Sequence, residues 1–582
     1  MTRKLYLALS FIIYSLSSVP AGGQSLTVTN EGPGKLAAQL TDSIRFTIEE
    51  LSVGGQLNSA DLKILHQIAD RSKTKKKDER LLTTLDLSRA TIVDDKMGTP
   101  TRELPSSLFS GCDKLQSVVL PDSLVTVGRN CFNGCSSLTE VTIPETVSVI
   151  GDNAFAKCTS LEKVRLPQQL TKLGKATFKE CKVLRAVELP EKIEEMGDDV
   201  FASCEALEEV TFACKLLLVP DGAFTGCEKL AAIALPSTII EIGEETFKDC
   251  IALEKVDTEN GVRKIGRRAF EGCKALTGID LSLVTTIGIS AFESCESLTA
   301  ISLPEIVKMD NDVFHGCSRI EEAELGDALK TIDNAAFLDC HSLTSIKLPA
   351  QLTTIGKSAF RSCKSLSEID LPRQLTRIGD RAFEGCSSLK SVTIPLMVRQ
   401  MGSSAFQECA FLDSVNIQGR IEKLGSEMFR KCQSLRVVLL PMSVKSIGSK
   451  AFQDCISLSS FSFPVSVTEI GSNAFERCIS LTQVVLPAAC TAIENEAFLE
   501  CSSLKTVDTS AGLKEIGKNA FAKCLSLQDF YLKAPVPPSI ASSTFKGMVT
   551  GLCRFHVPKG AKLRYYNDKA WGKAVTLFLE DI

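Results

Sequence analysis

The 582-residue sequence predicts an α/β repeat solenoid, with a parallel sheet of short strands on one face and short helical turns on the other. Three observations carry this expectation. A phenylalanine followed three residues later by a cysteine occurs 19 times between Phe109 and Cys524, at intervals of 23 residues except for two of 22, Phe270 to Phe292 and Phe292 to Phe314. Each pair closes the same apolar pattern. The 29 phenylalanines, which make up most of the aromatic content, are largely consumed by that one repeat position. Phe545 follows 24 residues after Phe521 without a cysteine, so the array is expected to end there.

One copy shows the mechanics. In Leu138-x-x-Val141-x-Ile143 the apolar residues alternate with outward Glu140 and Thr142, the period-two signature of a strand with one buried face. Pro144 has no N–H to give a ladder and closes the strand. Gly151 after Ile150 marks a turn that needs positive φ or a close backbone approach. Ala154, Phe155 and Cys158 then follow at three- and four-residue spacing, which predicts a short helical turn facing the core.

A single unit cannot bury its apolar face, whereas stacked units share a continuous core. With strands ~4.8 Å apart, about 20 coils are expected to form an arc on the order of 90–100 Å long. One elongated domain thus takes most of a chain whose length alone suggests several.

At this level of detail the unit resembles the leucine-rich repeat, in the 23-residue variety of bacterial BspA-like surface proteins, whose repeats carry the Ile-Gly, Ala-Phe and Cys pattern. The resemblance covers residues 82 to 582 and implies a right-handed arc capped at both ends. The chain departs from the general leucine-rich repeat in having no asparagine ladder after the strand; Thr146, Gln169 and Ser237 stand in the equivalent places. Gly34 to Leu40, Ile48, Leu51, Leu57 to Asp61 and Ile64-Leu65 resemble the family's amino-terminal cap, and Leu82 to Ser88 reads as a first, atypical strand. Ala534-Pro535-Val536-Pro537-Pro538, then Val557-Pro558, Tyr565 and Trp571, resemble its closing segment. The expected domains are therefore a signal peptide at 1–23, an amino-terminal cap region and basic linker at 24–80, the solenoid at 81–534 and a carboxy-terminal cap at 535–582.

Arg3 and Lys4 precede an apolar stretch from Leu5 to Val19, then Pro20 and the small residues Ala21, Gly22 and Gly23, which reads as an export signal cleaved before Gln24. That stretch is too short and too serine-rich to span a bilayer. No other long apolar run exists, so no transmembrane segment is expected in the mature chain; its place is the cell surface, the exterior or a periplasm. The formal net charge of −4, or −6 without Arg3 and Lys4, argues against a nucleic-acid footprint. The single basic cluster, Lys73 to Lys77, reads as a solvated linker.

Twenty-three cysteines in an exported chain ordinarily point to disulfides. Here 19 occupy one repeat position and should point inward side by side as small apolar groups, in a geometry that does not favour pairing. Cys131, Cys214, Cys490 and Cys553 stand outside that ladder and are the candidates for exceptions. A line of thiols does not offer zinc four converging ligands. The four histidines, His66, His315, His341 and His556, fall in no zinc-protease spacing and beside no nucleophile motif, and the recurrent single glycine is no phosphate loop. Asp94-Asp95 and Glu194-Glu195 read as solvated loop pairs. No enzyme activity, cofactor or metal is expected.

Function then rests on the outward strand positions, which vary while the core does not. Acidic residues gather mid-array, with Glu188, Asp257, Asp280, Glu324 and Asp370 in one column and Glu209, Glu322 and Glu368 beside it. Farther on, Val437, Leu439, Val485 and Tyr531 present apolar or aromatic surface, and clustered exposed apolar groups are less expected than isolated ones. Two readings follow: a non-enzymatic protein-binding surface, which the family resemblance extends to adhesion to host matrix proteins or other cells, and a structural component of the cell envelope. A hydrolase or glycan-processing enzyme has no motif in its support. Saturable binding by a monomer favours the first reading and self-association the second.

Overall fold

Most coils of the array carry a front strand and a second, shorter strand, and in the computed structural model each pairs with its equivalent about 23 residues away. The structure describes residues 24–45, 47–70, 82–259, 261–548, 553–575 and 578–580. The expected export signal at 1–23 and the cluster Lys73 to Lys77 lie outside the described residues.

In the coil analysed above, the front strand Glu140–Thr142 pairs in parallel with Ser117–Val119, residue 117 against 140 and 119 against 142. A second, shorter strand, Val149–Ile150, pairs in parallel with Thr126–Val127 on one side and Lys172–Leu173 on the other. The molecule is thus a parallel β-solenoid of about 22 turns. Chain contacts divide it into two compact units, residues 1–262 and 263–582. The second unit repeats the pattern, with front strands such as Ser391–Ile394, Ser414–Ile417 and Val437–Leu439 in register, and short second strands running from Lys423–Leu424 to Ser539–Ile540.

The helical turns expected opposite the sheet are not helices. Among the described residues α-helix occurs only at Leu36–Gln39, Asp42–Arg45, Ser59–Ala69, Lys562–Asn567 and Trp571–Ala574, all outside the array. The reason lies in the backbone. Asn153 and Lys157 both adopt positive φ, 52° and 61°, and equivalent pairs recur in most coils, so no run of right-handed residues is long enough for a helix. The N–H groups of Asn153, Phe155 and Lys157 instead donate to the carbonyls of Lys175, Thr177 and Lys179 in the next coil. A helix would spend those donors internally; here they bind coil to coil. Gly151 is needed for the close approach and not for φ: a Cβ there would lie 2.8 Å from the Arg129 nitrogen.

The phenylalanines are fully buried and stacked, with ring centroids 5.3–5.7 Å apart from Phe109 to Phe247 in the first unit and 5.1–5.8 Å from Phe270 to Phe521 in the second. All 23 cysteines are buried and outside any disulfide, including Cys131, Cys214, Cys490 and Cys553. The ladder thiols are more than apolar filler. Most stand within hydrogen-bonding distance of the carbonyl of a phenylalanine in the preceding coil: Cys135 donates to Phe109 at 3.1 Å, Cys181 to Phe155 at 3.2 Å and Cys386 to Phe360 at 3.1 Å. That same Phe360 oxygen accepts the N–H of Cys363 at 3.2 Å, so both lone pairs of a buried carbonyl are used.

Strand Gln24–Thr29 pairs in parallel with Ile48–Leu57, and helix Ser59–Ala69 starts at Asn58 in a capping box with Asp61. The buried Asp61 carboxylate also accepts from Gly34, Leu36 and Asn30. At the other end Tyr565 donates to the Ala534 carbonyl at 2.8 Å, and the Trp571 indole to that of Pro538 at 2.7 Å. Among the described residues no helix is long and apolar enough to cross a membrane.

Phe360 is 0% exposed between Phe337 and Phe383, at 5.5 and 5.3 Å. Phe360→Ala is expected to cost about 3–5 kcal/mol locally. Because each coil contacts only its neighbours, the thermal melt should broaden or split. A calorimetric trace matching the parent across the whole transition would refute the ladder.

The thiols yield a pH prediction. Burial pushes the Cys158 and Cys204 thiols up to about 12, and Cys227, Cys363 and Cys501 well above their ordinary range. A thiol whose pKa rises on folding contributes its stability in full below the unfolded pKa of ~8.5 and loses it as pH climbs toward the folded value. Each buried thiol should therefore cost about 1.4 kcal/mol per pH unit above ~8.5. Since every coil carries one, melting temperature should fall steeply between pH 9 and 10, with few thiols labelled in the native state and most after denaturation without reductant. A melting temperature flat from pH 8 to 10.5 would contradict this account.

Candidate functional site

On the front strands the alternation expected from the sequence holds: in Val437–Leu439, for example, Val438 is buried while Val437 and Leu439 face solvent. Where a front strand is paired on both edges, as Glu322–Leu325 is, only side chains are offered to a partner. The outward residues form two columns along each unit.

In the first unit Glu188 and Asp257 are both exposed. Asp257 is held by Lys255 at 3.8 Å and accepts the Glu259 N–H, so it serves its own loop. In the second unit the structure gathers Asp280, Glu324 and Asp370 along one shallow concavity, together with Glu322 and Glu368. Glu322 sits opposite Ser345 and Glu324 opposite Lys347 in the ladder. The Lys347 ammonium lies 2.7 Å from Glu324, which raises the lysine's pKa. Asp280 accepts the Ser282 N–H. Glu322, Glu368 and Asp370 have no hydrogen-bond or ion-pair partner among the described residues.

Three of the four apolar candidates are exposed: Val437 by 47%, Leu439 by 55% and Val485 by 47%. Tyr531 is not. It is half-buried, with its ring stacked on the His556 imidazole at 4.3 Å. His556, itself buried, lies 2.8 Å from the Asp529 carboxylate, which also takes a contact from Arg554 at 2.7 Å. Burial alone would push the Asp529 carboxyl up; its hydrogen bonds to Arg554 and His556 outweigh this and hold it below the usual range. Tyr531 therefore belongs to the closing packing of the array and leaves the exposed group.

The structure adds members that pattern reading missed. Leu396, Met442 and Val465 follow the strand-closing prolines and are 58%, 69% and 70% exposed. The equivalent corner in other coils holds Glu145, Gln168 and Glu191, so aligning the repeats on proline would have exposed the change to apolar residues. One position later, Thr146 and Thr238 donate their hydroxyls to carbonyls of the preceding coil, Leu124 at 2.6 Å and Leu216 at 2.8 Å. These hydroxyls stand where an asparagine ladder was absent. Ser237 is one residue off that position, and its N–H donates to Glu259.

The acidic pairs weighed for catalysis are structural. Asp94 closes its own loop by accepting from Lys96, Met97 and Thr99, Asp95 accepts from Ser59, and Glu195 pairs with Lys172 at 2.5 Å. Burial raises the pKa of the Cys158, Cys204 and Cys363 thiols and holds them protonated, which makes them poor nucleophiles.

The comparisons with known proteins agree with this architecture. The chain is similar to a leucine-rich repeat protein from Bacteroides ovatus, with 25% identity, a TM-score of 0.52, and coverage of 75% of this chain and 100% of that one. It also matches a leucine-rich cell surface protein from Faecalibacterium prausnitzii, with 28% identity, a TM-score of 0.34, and coverage of 50% and 83%. The pneumococcal vaccine antigen PcpA matches at 18% identity, with a TM-score of 0.27 and coverage of 79% and 92%. Among curated proteins none matches. The model of the BspA type leucine-rich repeat region matches residues 102–231, 218–337, 307–436 and 428–550. With Phe, Cys and Ile-Gly in their stacked places over that whole span, this chain belongs to the BspA-type leucine-rich repeat family.

Proposed function

We propose that the chain is an exported, non-enzymatic binding protein that uses its repeat surface for protein–protein interaction, in adhesion to host matrix proteins or to other cells. Residues 1–23 act as the export signal, 24–80 and 535–582 close the two ends, and 81–534 present the surface. One observation carries the reading. Val437, Leu439 and Val485 stand about half exposed on strands whose outward positions are otherwise mostly polar or charged, where solubility alone would favour polar residues. About half of each of these side chains is left to solvent, where a partner's apolar groups would cover it.

Replacing Val437, Leu439 and Val485 by Ser together is expected to leave the melting temperature nearly unchanged, because surface substitutions usually fall within about ±0.5 kcal/mol. Capture of partners from extracellular matrix or cell-surface extracts should drop several-fold. Undiminished capture by a folded triple variant would move the site off this face. Concentration-dependent self-association of the parent, without saturable partner binding, would instead favour an envelope component.

A further inference from the structure

We infer that the front face of the second unit holds an extended polypeptide that is basic at one end and apolar at the other. Its basic residues lie over Glu322, Glu368 and Asp370, and its apolar residues over Val437, Leu439 and Val485. The inference rests on the binding role proposed above and supplies the partner's chemistry.

Two independent features meet on this face. The first is uncompensated charge. Some acids elsewhere in the same array are matched across coils, as in Glu408 with Lys431 at 2.7 Å or Asp413 with Arg436 at 3.3 Å. Glu322, Glu368 and Asp370 have no such partner among the described residues, and Lys347, on the coil between them, is taken up by Glu324. Like charges two residues apart on one face, as Glu368 and Asp370 are, repel, which is a stability cost that a cationic ligand would relieve. The second feature is apolar exposure, which begins just past the acidic coils. Between them the outward residues are neutral and polar: Ser391, Thr393, Ser414 and Asn416.

This order selects among partners. Anionic membranes, nucleic acids and sulfated glycans are repelled by bare carboxylates. Neutral glycans gain nothing from Leu439 or Met442, and a simple cation leaves the apolar half unused. A polypeptide supplies both chemistries on one strand of matter, and its length can be stated. From the coil of Lys347 to that of Val485 are six steps, and the two patch centres lie about five coils, or ~24 Å, apart. At ~3.3 Å per residue an extended chain covers that in about seven residues.

The test uses a fluorescent peptide of four alternating Arg and Lys residues, three Ser and Gly residues and four apolar residues, with each half as a separate probe. Binding to the whole purified chain is read by anisotropy from low to high salt. The joined peptide should bind at least about ten-fold tighter than either half, because the second contact becomes intramolecular. Glu322→Gln, Glu368→Gln and Asp370→Asn together should abolish that gain and flatten the salt dependence. Val437→Ser, Leu439→Ser and Val485→Ser together should abolish the gain while leaving the salt dependence in place. Unchanged thermal melts would show that both variants fold. A joined peptide no tighter than its better half, or equal binding by the parent and both variants, would overturn the inference. If the parent still captures extracellular partners through the apolar residues but shows no preference for the joined peptide, the binding face stands and only the partner chemistry falls.

Discussion

Everything in this molecule depends on one contact made again in each coil: a phenylalanine ring stacked on its equivalent, with a thiol from the following coil directed at its carbonyl. The ring supplies the larger share, since a buried aromatic removes 150–250 Å² of surface from water. The thiol supplies direction. An alanine would fit the same corridor but leave a carbonyl lone pair unused, and a serine hydroxyl would be shorter than the gap that sulfur spans. Because the bond reaches back one coil, no repeat completes its own core, and order in one depends on order in the next.

The same contact explains why the outer surface is free to vary. Inter-coil cohesion is met inside by Phe and Cys, and along the turn by N–H groups aimed at the next coil. Apart from contacts such as Lys347 with Glu324, the outward strand side chains add little to it, so Glu322, Val437 and Leu439 can be changed without touching what holds the array together. A surface decoupled from stability in this way is suited to recognition, and its few departures from polar, paired residues stand out against the repeat.

The 23-residue period made the architecture, the buried Phe and Cys positions and the alternation of the front strands legible, because each is an inside-or-outside question that hydrophobic spacing answers. Backbone handedness was not legible. The spacing of Ala154, Phe155 and Cys158 fits a helical turn, but Asn153 and Lys157 take positive φ, a choice made by hydrogen bonding to the next coil that no single repeat reveals. Exposure of Val437, Leu439 and Val485 followed from alternation alone, whereas Tyr531 did not follow it, because His556 reaches over it from a segment outside the repeat. Leu396, Met442 and Val465 escaped notice because attention to strand positions passed over the corner after the proline.

The two outward columns also make the face a lattice with its own spacings: ~4.8 Å from coil to coil, and about 6.6 Å between the columns. A partner lying along the columns as an extended chain repeats its facing side chains every ~6.7 Å, and an α-helix turns every 5.4 Å. Neither matches the coil. The extended chain falls back into step only after about seven coils, ~34 Å, and the helix after about nine, ~43 Å. Like a vernier scale, such a face cannot be read one residue per repeat. It can be read only in blocks, where several adjacent coils offer the same chemistry so that a neighbouring side chain serves when the register drifts. Runs of acids and runs of apolar residues are the alphabet such a lattice permits, and lengthening or shortening a run by whole coils is how a chain of this kind can change what it binds without altering how it folds.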